Sequence, residues 1–493
     1  MHLPEEVKRR VSMAVLLAPL ILIASYLILT STADLLPNLG IFNAKRLLQI
    51  YLLCSLFLLA TVLRTWNITG AALLKSISPI ALCALFIAAV LSVVSTLRLA
   101  HPGYGLAEIG ILLGMFWATV LVASSRNSCS LRFDQFLMVT LITLSLGVTV
   151  QEMAGVLAKL ELEQEYNFSE MLIHFSHPRF FNQLQSGMIP MLAAIPFVFQ
   201  KQAPRSALCI CILLIGLHWC LLLVSGGRGS VLSISIAVCA VGAIAWRASR
   251  KWLMINVGGA LLGGALFSLL AFSHTLGSVT TGDLLTRSIR RDLTNTTGRI
   301  DFWQHALSEA FHHPLLGLGT GQFQCGTSMA WPAHPHNAPL QFLAEWGFPA
   351  TVLLLAVFLL AAFRVIKALL ACKSGDTADS GMLLSVATAA LATGLHANLS
   401  GVLIMPASQM LATLTCGCLL SVTKVVSTVN RRAPVHMVAV WFIALGTSSA
   451  VAWFATTELT VMNARTSTKT GELGDFPRFW RTGQSCSYTY RID

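Results

Sequence analysis

Charge is what this sequence is short of. Asp, Glu, Lys and Arg make up 11% of its 493 residues, against about 25% in a soluble domain. It therefore has too little polar surface to face water on all sides. Acidic residues are the scarcer sign: 21 Asp and Glu stand against 33 Lys and Arg, a formal net charge of +12. No Asp-x-Asp pair is present to suggest Mg²⁺ held between phosphates. Nor does any period of about 20–50 residues repeat, which excludes solenoids and propellers. The first apolar run, Val11 to Thr30, lacks a small-residue cleavage site, because Ser31-Thr32-Ala33 leads straight into Asp34. Behind Lys8-Arg9-Arg10 it reads as a retained helix and not as a signal peptide.

What the sequence has instead is apolar runs of about 20 residues, each long enough to cross a bilayer. They lie near 11–30, 47–64, 77–97, 104–124, 133–157, 184–199, 206–224, 229–246, 253–273, 346–366, 382–404, 407–424 and 436–456. Mean hydropathy is +0.72. The expected fold is an all-α polytopic membrane protein of about twelve transmembrane helices, or thirteen if 436–456 crosses. With the amino terminus inside, the inside loops carry Arg64 and Lys75, Arg126 and Arg132, Lys201 and Arg205. The later ones carry Arg247, Arg250 and Lys251, then Lys367 and Lys373, then Lys424, Arg431 and Arg432. Every inside loop is basic, as the positive-inside bias requires. The surplus charge thus belongs to membrane lipids and does not point to nucleic acid.

Of the 12 cysteines, Cys54, Cys83, Cys209, Cys211, Cys220, Cys239, Cys416 and Cys418 sit in apolar runs, where they behave as small hydrophobes. Neither the Cys209/Cys211 nor the Cys416/Cys418 pair has a second ligand pair at useful spacing. No metal site and no cofactor is expected. Cys325 and Cys486 lie outside the spans, where they are free to pair.

The organisation that follows has four parts: residues 1–273 with spans one to nine, an outside loop 274–345, the remaining spans in 346–456, and a tail, 457–493. The side of the tail depends on whether the last span crosses. A second outside loop, 158–183, carries Glu161, Glu163, Glu165 and Glu170. Loop 274–345 is too long to be a mere connection. Within it Ile300, Phe302, Trp303, Ala306, Leu307, Ala310 and Phe311 recur at helical spacing, which predicts an amphipathic helix along the membrane surface.

Outside loops should be poor in arginine, yet this one holds Arg287, Arg290, Arg291 and Arg299. Headgroup contact would explain any one of them alone. As a cluster they suit a lipid-linked phosphate or pyrophosphate, because guanidinium groups bind phosphate oxygens in bidentate fashion and stay charged. Ser225-Gly226-Gly227-Arg228-Gly229-Ser230 is a second exception. Such glycines let backbone N–H groups approach an anion at a helix start. They also simply join helices, but an arginine at membrane depth is costly without a use.

In His334-Pro335-His336-Asn337-Ala338-Pro339, Asn337 is a good N-cap and Pro339 suits a first turn. Gln341 and Glu345 follow Asn337 at i+4 and i+8 as one polar stripe. A lone histidine near headgroups is commonly structural, but His336, above that stripe and facing the arginines, is a general-base candidate. The segment His177-Pro178-Arg179-Phe180-Phe181-Asn182-Gln183-Leu184-Gln185 offers groups for an anion or a sugar, and equally an interfacial aromatic belt. His396 and Asn398 are polar groups inside the eleventh span, expected to face the bundle interior with no role assigned.

Three of these segments resemble the O-antigen ligase and polymerase superfamily of bacterial envelope glycosyltransferases. They are Arg299-Ile-Asp-Phe-Trp303 with His313-Pro314-Leu-Leu-Gly317-Leu-Gly319, then His336-Asn337 with Gln341, Glu345 and Gly347, and the Gly-Gly-Arg228-Gly turn, within about 177–405. The resemblance implies about twelve spans in the bacterial inner membrane and a large periplasmic loop between the ninth and tenth. It implies transfer of a glycan from undecaprenyl pyrophosphate to the lipid A–core, and the arginine-rich, Asp-x-Asp-free residues predict that this transfer is metal- and nucleotide-independent and inverting. His336 would deprotonate the acceptor hydroxyl. Arg228, helped by Arg287, Arg290, Arg291, Arg299 and Arg179, would hold the donor pyrophosphate, with His334, Asn337, Gln341 and Glu345 in support. The family pattern runs His, then Asn, Ser or Gln, nine residues, Gly, two more, then Gly, Thr or Tyr. It is met through Gly347 and departs at Ala350.

That departure leaves an O-antigen polymerase or a protein O-oligosaccharyltransferase open as alternatives. A transporter or flippase is the rival from another class. Its site would lie near the midplane between matched broken helices, whereas the polar outliers here concentrate in the second half and on the outer face.

Overall fold

Proline sets the heads of several helices: Pro79, Pro178, Pro204 and Pro406 each occupy the first turn, where the missing N–H has no intrahelical partner to lose. The computed structural model describes residues 5–36, 39, 41–62, 77–99, 102–161, 172–175, 177–272, 298–323, 333–372, 377–423 and 435–466. Arg287, Arg290, Arg291, Cys325, Cys486 and most of the tail lie outside the described residues, as do Glu163, Glu165 and Glu170.

The helices are α1 (Glu5–Thr32), α2 (Ile41–Val62), α3 (Pro79–Leu97), α4 (Gly103–Ser128), α5 (Ser130–Glu161), α6 (Pro178–Leu192), α7 (Ile195–Val198) and α8 (Pro204–Val224). After them come α9 (Arg228–Ile244), α10 (Trp246–Phe272), α11 (Arg299–His312), α12 (Ala338–Ala371), α13 (Ala378–Ala397), α14 (Pro406–Val422) and α15 (Val435–Thr466). No strand occurs among the described residues. Nine of these helices are long and apolar enough to cross a membrane: α1 to α5, α8, α10, α12 and α13. The apolar helices α9 and α14 are shorter, at 17 residues each.

Three boundaries differ from the sequence expectation. The span placed at 184–199 is a broken pair, α6 and α7, with Pro190 inside the first and a turn at Ala193 and Ala194. It begins at Pro178, inside the stretch expected to be loop 158–183, because His177 caps it by accepting a hydrogen bond from Arg179 N (3.0 Å). α2 begins at Ile41 and not near 47. Lys45 and Arg46 look like a polar flank but are buried, and Arg46 donates to Gln49 Oε1 (2.6 Å), Gln409 Oε1 (2.7 Å) and the Ile404 carbonyl (2.5 Å). α12 starts at Ala338, eight residues before the apolar run drawn from 346.

Contacts fix how the helices run. Tyr26 near the end of α1 donates to the Lys45 carbonyl at the head of α2 (3.1 Å), and Arg46 reaches the head of α14. The end of α3 meets the 317–321 segment through Thr96 and Thr320 (3.0 Å). A Cβ on Gly105, in the first turn of α4, would lie 2.6 Å from the Thr320 carbonyl. α15 lies along α2 and α4. Its Glu458 accepts from Tyr104 (2.6 Å) and its Val451 packs on Gly110, so it runs antiparallel to α4 and ends at this same pole. At the opposite pole Arg126 forms a buried pair with Asp134 (2.7 Å) beside Asp379 (3.5 Å). The basic loop residues Arg132, Lys201, Arg205, Arg247, Arg250 and Lys251 belong to this second pole.

The 313–321 segment wraps a break in α12. Gly347 is left-handed (φ 77°) and Pro349 has no N–H, so the Ala344 and Glu345 carbonyls lose their helical donors. Leu318 N and Gly319 N replace them, each at 2.9 Å, while Phe348 N donates to the Pro314 carbonyl (2.8 Å). The approach is close enough to demand glycine: a Cβ on Gly317 (φ 65°) would lie 2.3 Å from the Glu345 carbonyl carbon. The expected helix at 300–311 is α11. It packs its Ala306 side against Phe323 and Ala344, and leaves Ile300 and Phe311 outward.

Candidate active site

The site is built on the head of α12. Asn337 caps that helix, its side chain accepting from Leu340 N (3.0 Å). The residue before it, His336, adopts the left-handed conformation with φ 56°, which costs a non-glycine residue about 1–3 kcal/mol and persists only where the surroundings hold it. Here they do. His334 Nδ1 accepts from His336 N (3.1 Å), the two rings meet edge to face at 4.3 Å, and Trp303 of α11 donates to the Pro335 carbonyl (3.0 Å). Phe302 lies 6.5 Å from the His336 ring. His334 is buried against Gly401, where a Cβ would come within 2.6 Å of its Nε2. The turn is also tied across the bundle, since Asn337 Nδ2 donates to the Asn398 carbonyl (3.3 Å).

Burial, then the positive charges of Arg299 and Arg179, pull the His336 imidazole down to about 4 from its usual 6.5. At neutral pH it is uncharged and carries a free lone pair. Burial is the larger cause of that suppression, and the arginine part is what an anion would neutralise.

Arg228 is the first residue of α9 and half-buried. The glycines around it answer to packing: a Cβ on Gly227 would lie 2.6 Å from Asn182 Nδ2, and one on Gly229 would lie 3.2 Å from His396 Nε2. Asn182 gathers this turn, accepting from Ser225 at Oδ1 (3.0 Å) and from Ser230 at its carbonyl (2.8 Å). His396 Nδ1 is 2.7 Å from Ser186 Oγ and 3.3 Å from Ser230 Oγ. Gln183 donates to Ser400 (2.8 Å), which joins the head of α6 to the α13–α14 turn.

The fold therefore collects the α6 head, the Arg228 turn, the α11 head, the His334–Asn337 turn and the end of α13 at one pole. Glu345 is buried and its carboxylate accepts from Gly321 N (3.2 Å) and Phe323 N (3.3 Å), so it holds the loop, and Gln341 is buried on the same helix. Ser186 and Ser400 were not singled out in the sequence, and Ser230 stood there only as the end of the glycine turn. Isolated serines in apolar runs carry no signal until a partner histidine or asparagine is known to face them.

No curated protein matches the chain. Residues 210–355 match the family model described as O-Antigen ligase. That stretch runs from α8 into α12 and includes Arg228, Arg299 and His336, and the match supports membership in the O-antigen ligase superfamily.

Proposed function

We propose that this protein is an O-antigen ligase that moves a polysaccharide from undecaprenyl pyrophosphate onto the lipid A–core. One observation carries the reading: His336, uncharged and half-buried, sits under the influence of Arg299 and Arg179 at the pole away from the basic loops. In a bacterial inner membrane that pole faces the periplasm. α15 is then a thirteenth crossing that ends on the side of the site.

In this reading His336 takes the proton of an acceptor sugar hydroxyl. The oxygen attacks the anomeric carbon of the donor from the face opposite the pyrophosphate. The carbon–oxygen bond to the pyrophosphate breaks and its electron pair leaves on the phosphate oxygen. One displacement inverts the anomeric centre. Arg228, Arg299 and Arg179, with Arg287, Arg290 and Arg291 of the loop, hold the charge that develops on the leaving group, so no step calls on a metal or a nucleotide. The donor's phosphates also neutralise the arginines that suppress His336, which makes the base stronger once the donor is bound.

Lipopolysaccharide banding of a deletion strain tests the assignment. Loss of a ligase leaves bare core and accumulates lipid-linked polymer. Core carrying a single repeat would instead identify a polymerase. Normal banding, with loss of glycan from a protein, would identify a protein O-oligosaccharyltransferase.

A further inference from the structure

His396 has no part in the mechanism above, yet it is buried at the end of α13 against the turn that carries Arg228. Counting lone pairs assigns its protons. The Asn182 carbonyl has two acceptor positions. One takes the helical bond from Ser186 N inside α6, and the other takes the Ser230 hydroxyl at 2.8 Å. The Ser186 hydroxyl has two choices, the Asn182 carbonyl at 3.0 Å and His396 Nδ1 at 2.7 Å. With the carbonyl already filled, its proton goes to Nδ1. A neutral imidazole that accepts at Nδ1 carries its hydrogen at Nε2. Nε2 has no hydrogen-bond partner among the described residues, and it lies against Gly229, next to Arg228.

The ring is thus held on one edge by the Ser186 hydroxyl, with Ser230 packed beside it at 3.3 Å, and its other edge presents an N–H beside the first turn of α9. An N–H at the edge of a fixed ring beside an arginine is a ready donor to an anion. We propose that His396 is a ligand of the donor pyrophosphate: Nε2–H donates to a phosphate oxygen in the space that Arg228 borders, and Ser186 sets the tautomer that makes this possible. Two glycines suit this arrangement, since Gly227 admits Asn182 and Gly229 leaves room for the His396 edge. The inference rests on the ligase reading only in naming the anion.

The test is equilibrium binding of farnesyl diphosphate, a short polyprenyl pyrophosphate, to the purified full chain in detergent, alongside thermal unfolding of each variant. Glutamine places an amide N–H near the position of Nε2, and asparagine near that of Nδ1. His396→Gln is expected to bind within about 3-fold of wild type, while His396→Asn and His396→Ala weaken binding about 10-fold, as loss of one hydrogen bond to a charged group predicts. All three should unfold within a few degrees of wild type. Wild-type affinity in His396→Ala, or retention by Asn with loss by Gln, would overturn the assignment. Arg228→Ala separates the two levels. If wild type binds the probe and Arg228→Ala does not, the phosphate site stands whatever His396 does. A wild type that ignores the probe removes the site and the inference together.

Discussion

His336 is held by His334 and Trp303 and suppressed by burial and by Arg299 and Arg179. Below a pH of about 4 it is protonated in the empty protein and has no lone pair to offer; above that it is uncharged. Transfer measured as kcat/KM, which reports the free enzyme, is therefore expected to fall on the acid side near 4 and to hold level through 6.5. At saturating donor the acid limb of kcat should move upward, because phosphate charge offsets Arg299 and Arg179. An acid limb at 6.5 under both conditions would remove the electrostatic part of the account. His336→Ala should lose about 100- to 10,000-fold in turnover with unchanged membrane insertion, the usual worth of a positioned base. Arg228→Lys keeps the charge and gives up the two-pronged fork. It should retain partial donor binding where Arg228→Ala retains none, read as donor concentration dependence in a ligation assay.

At the scale of elements, the site depends on the break in α12. Gly317 and Gly347 back onto each other so closely that neither tolerates a side chain, and the 317–319 backbone supplies the donors that Pro349 removes. Gly317→Ala combines a left-handed φ of 65° with a Cβ 2.3 Å from backbone. It is expected to destabilise by at least about 2 kcal/mol, seen as a drop of several degrees in unfolding temperature and as loss of ligation. A Gly317→Ala protein as stable and active as wild type would show that the wrap is dispensable.

Much of this was legible beforehand. Asn337 and Pro339 announce the α12 head, and the apolar spacing around Trp303 announces α11. The start of α2 was not, because Lys45 and Arg46 read as a solvated flank. Gln49, Gln409 and the Ile404 carbonyl, two of them far away in the chain, accept from Arg46 and offset its burial. The broken α6–α7 pair escaped for a related reason: hydropathy sums over a window and does not see where a proline and two turn residues interrupt the ladder.

At the scale of the whole molecule, alternating basic loops predict which ends of the helices lie together, and the helix contacts agree. Every element of the candidate site is at the pole opposite the buried Arg126–Asp134 pair. Which side chains converge there was only partly readable. The outer arginines stood out against the positive-inside bias, whereas Ser186, and any role for Ser230, emerged only through His396. Because the proposed chemistry draws on arginines and one histidine, ligation is expected to survive EDTA; activity lost to EDTA and restored by Mg²⁺ would require a different leaving-group partner.

The most direct measurement joins both substrates with nothing else. Purified protein in detergent is mixed with undecaprenyl-pyrophosphate-linked glycan and lipid A–core, without nucleotide or ion gradient, and the ligated lipopolysaccharide is followed by gel mobility. The account predicts product from wild type and none from His336→Ala. Product from His336→Ala at the wild-type rate, or wild-type product only across a membrane with a gradient, would contradict it.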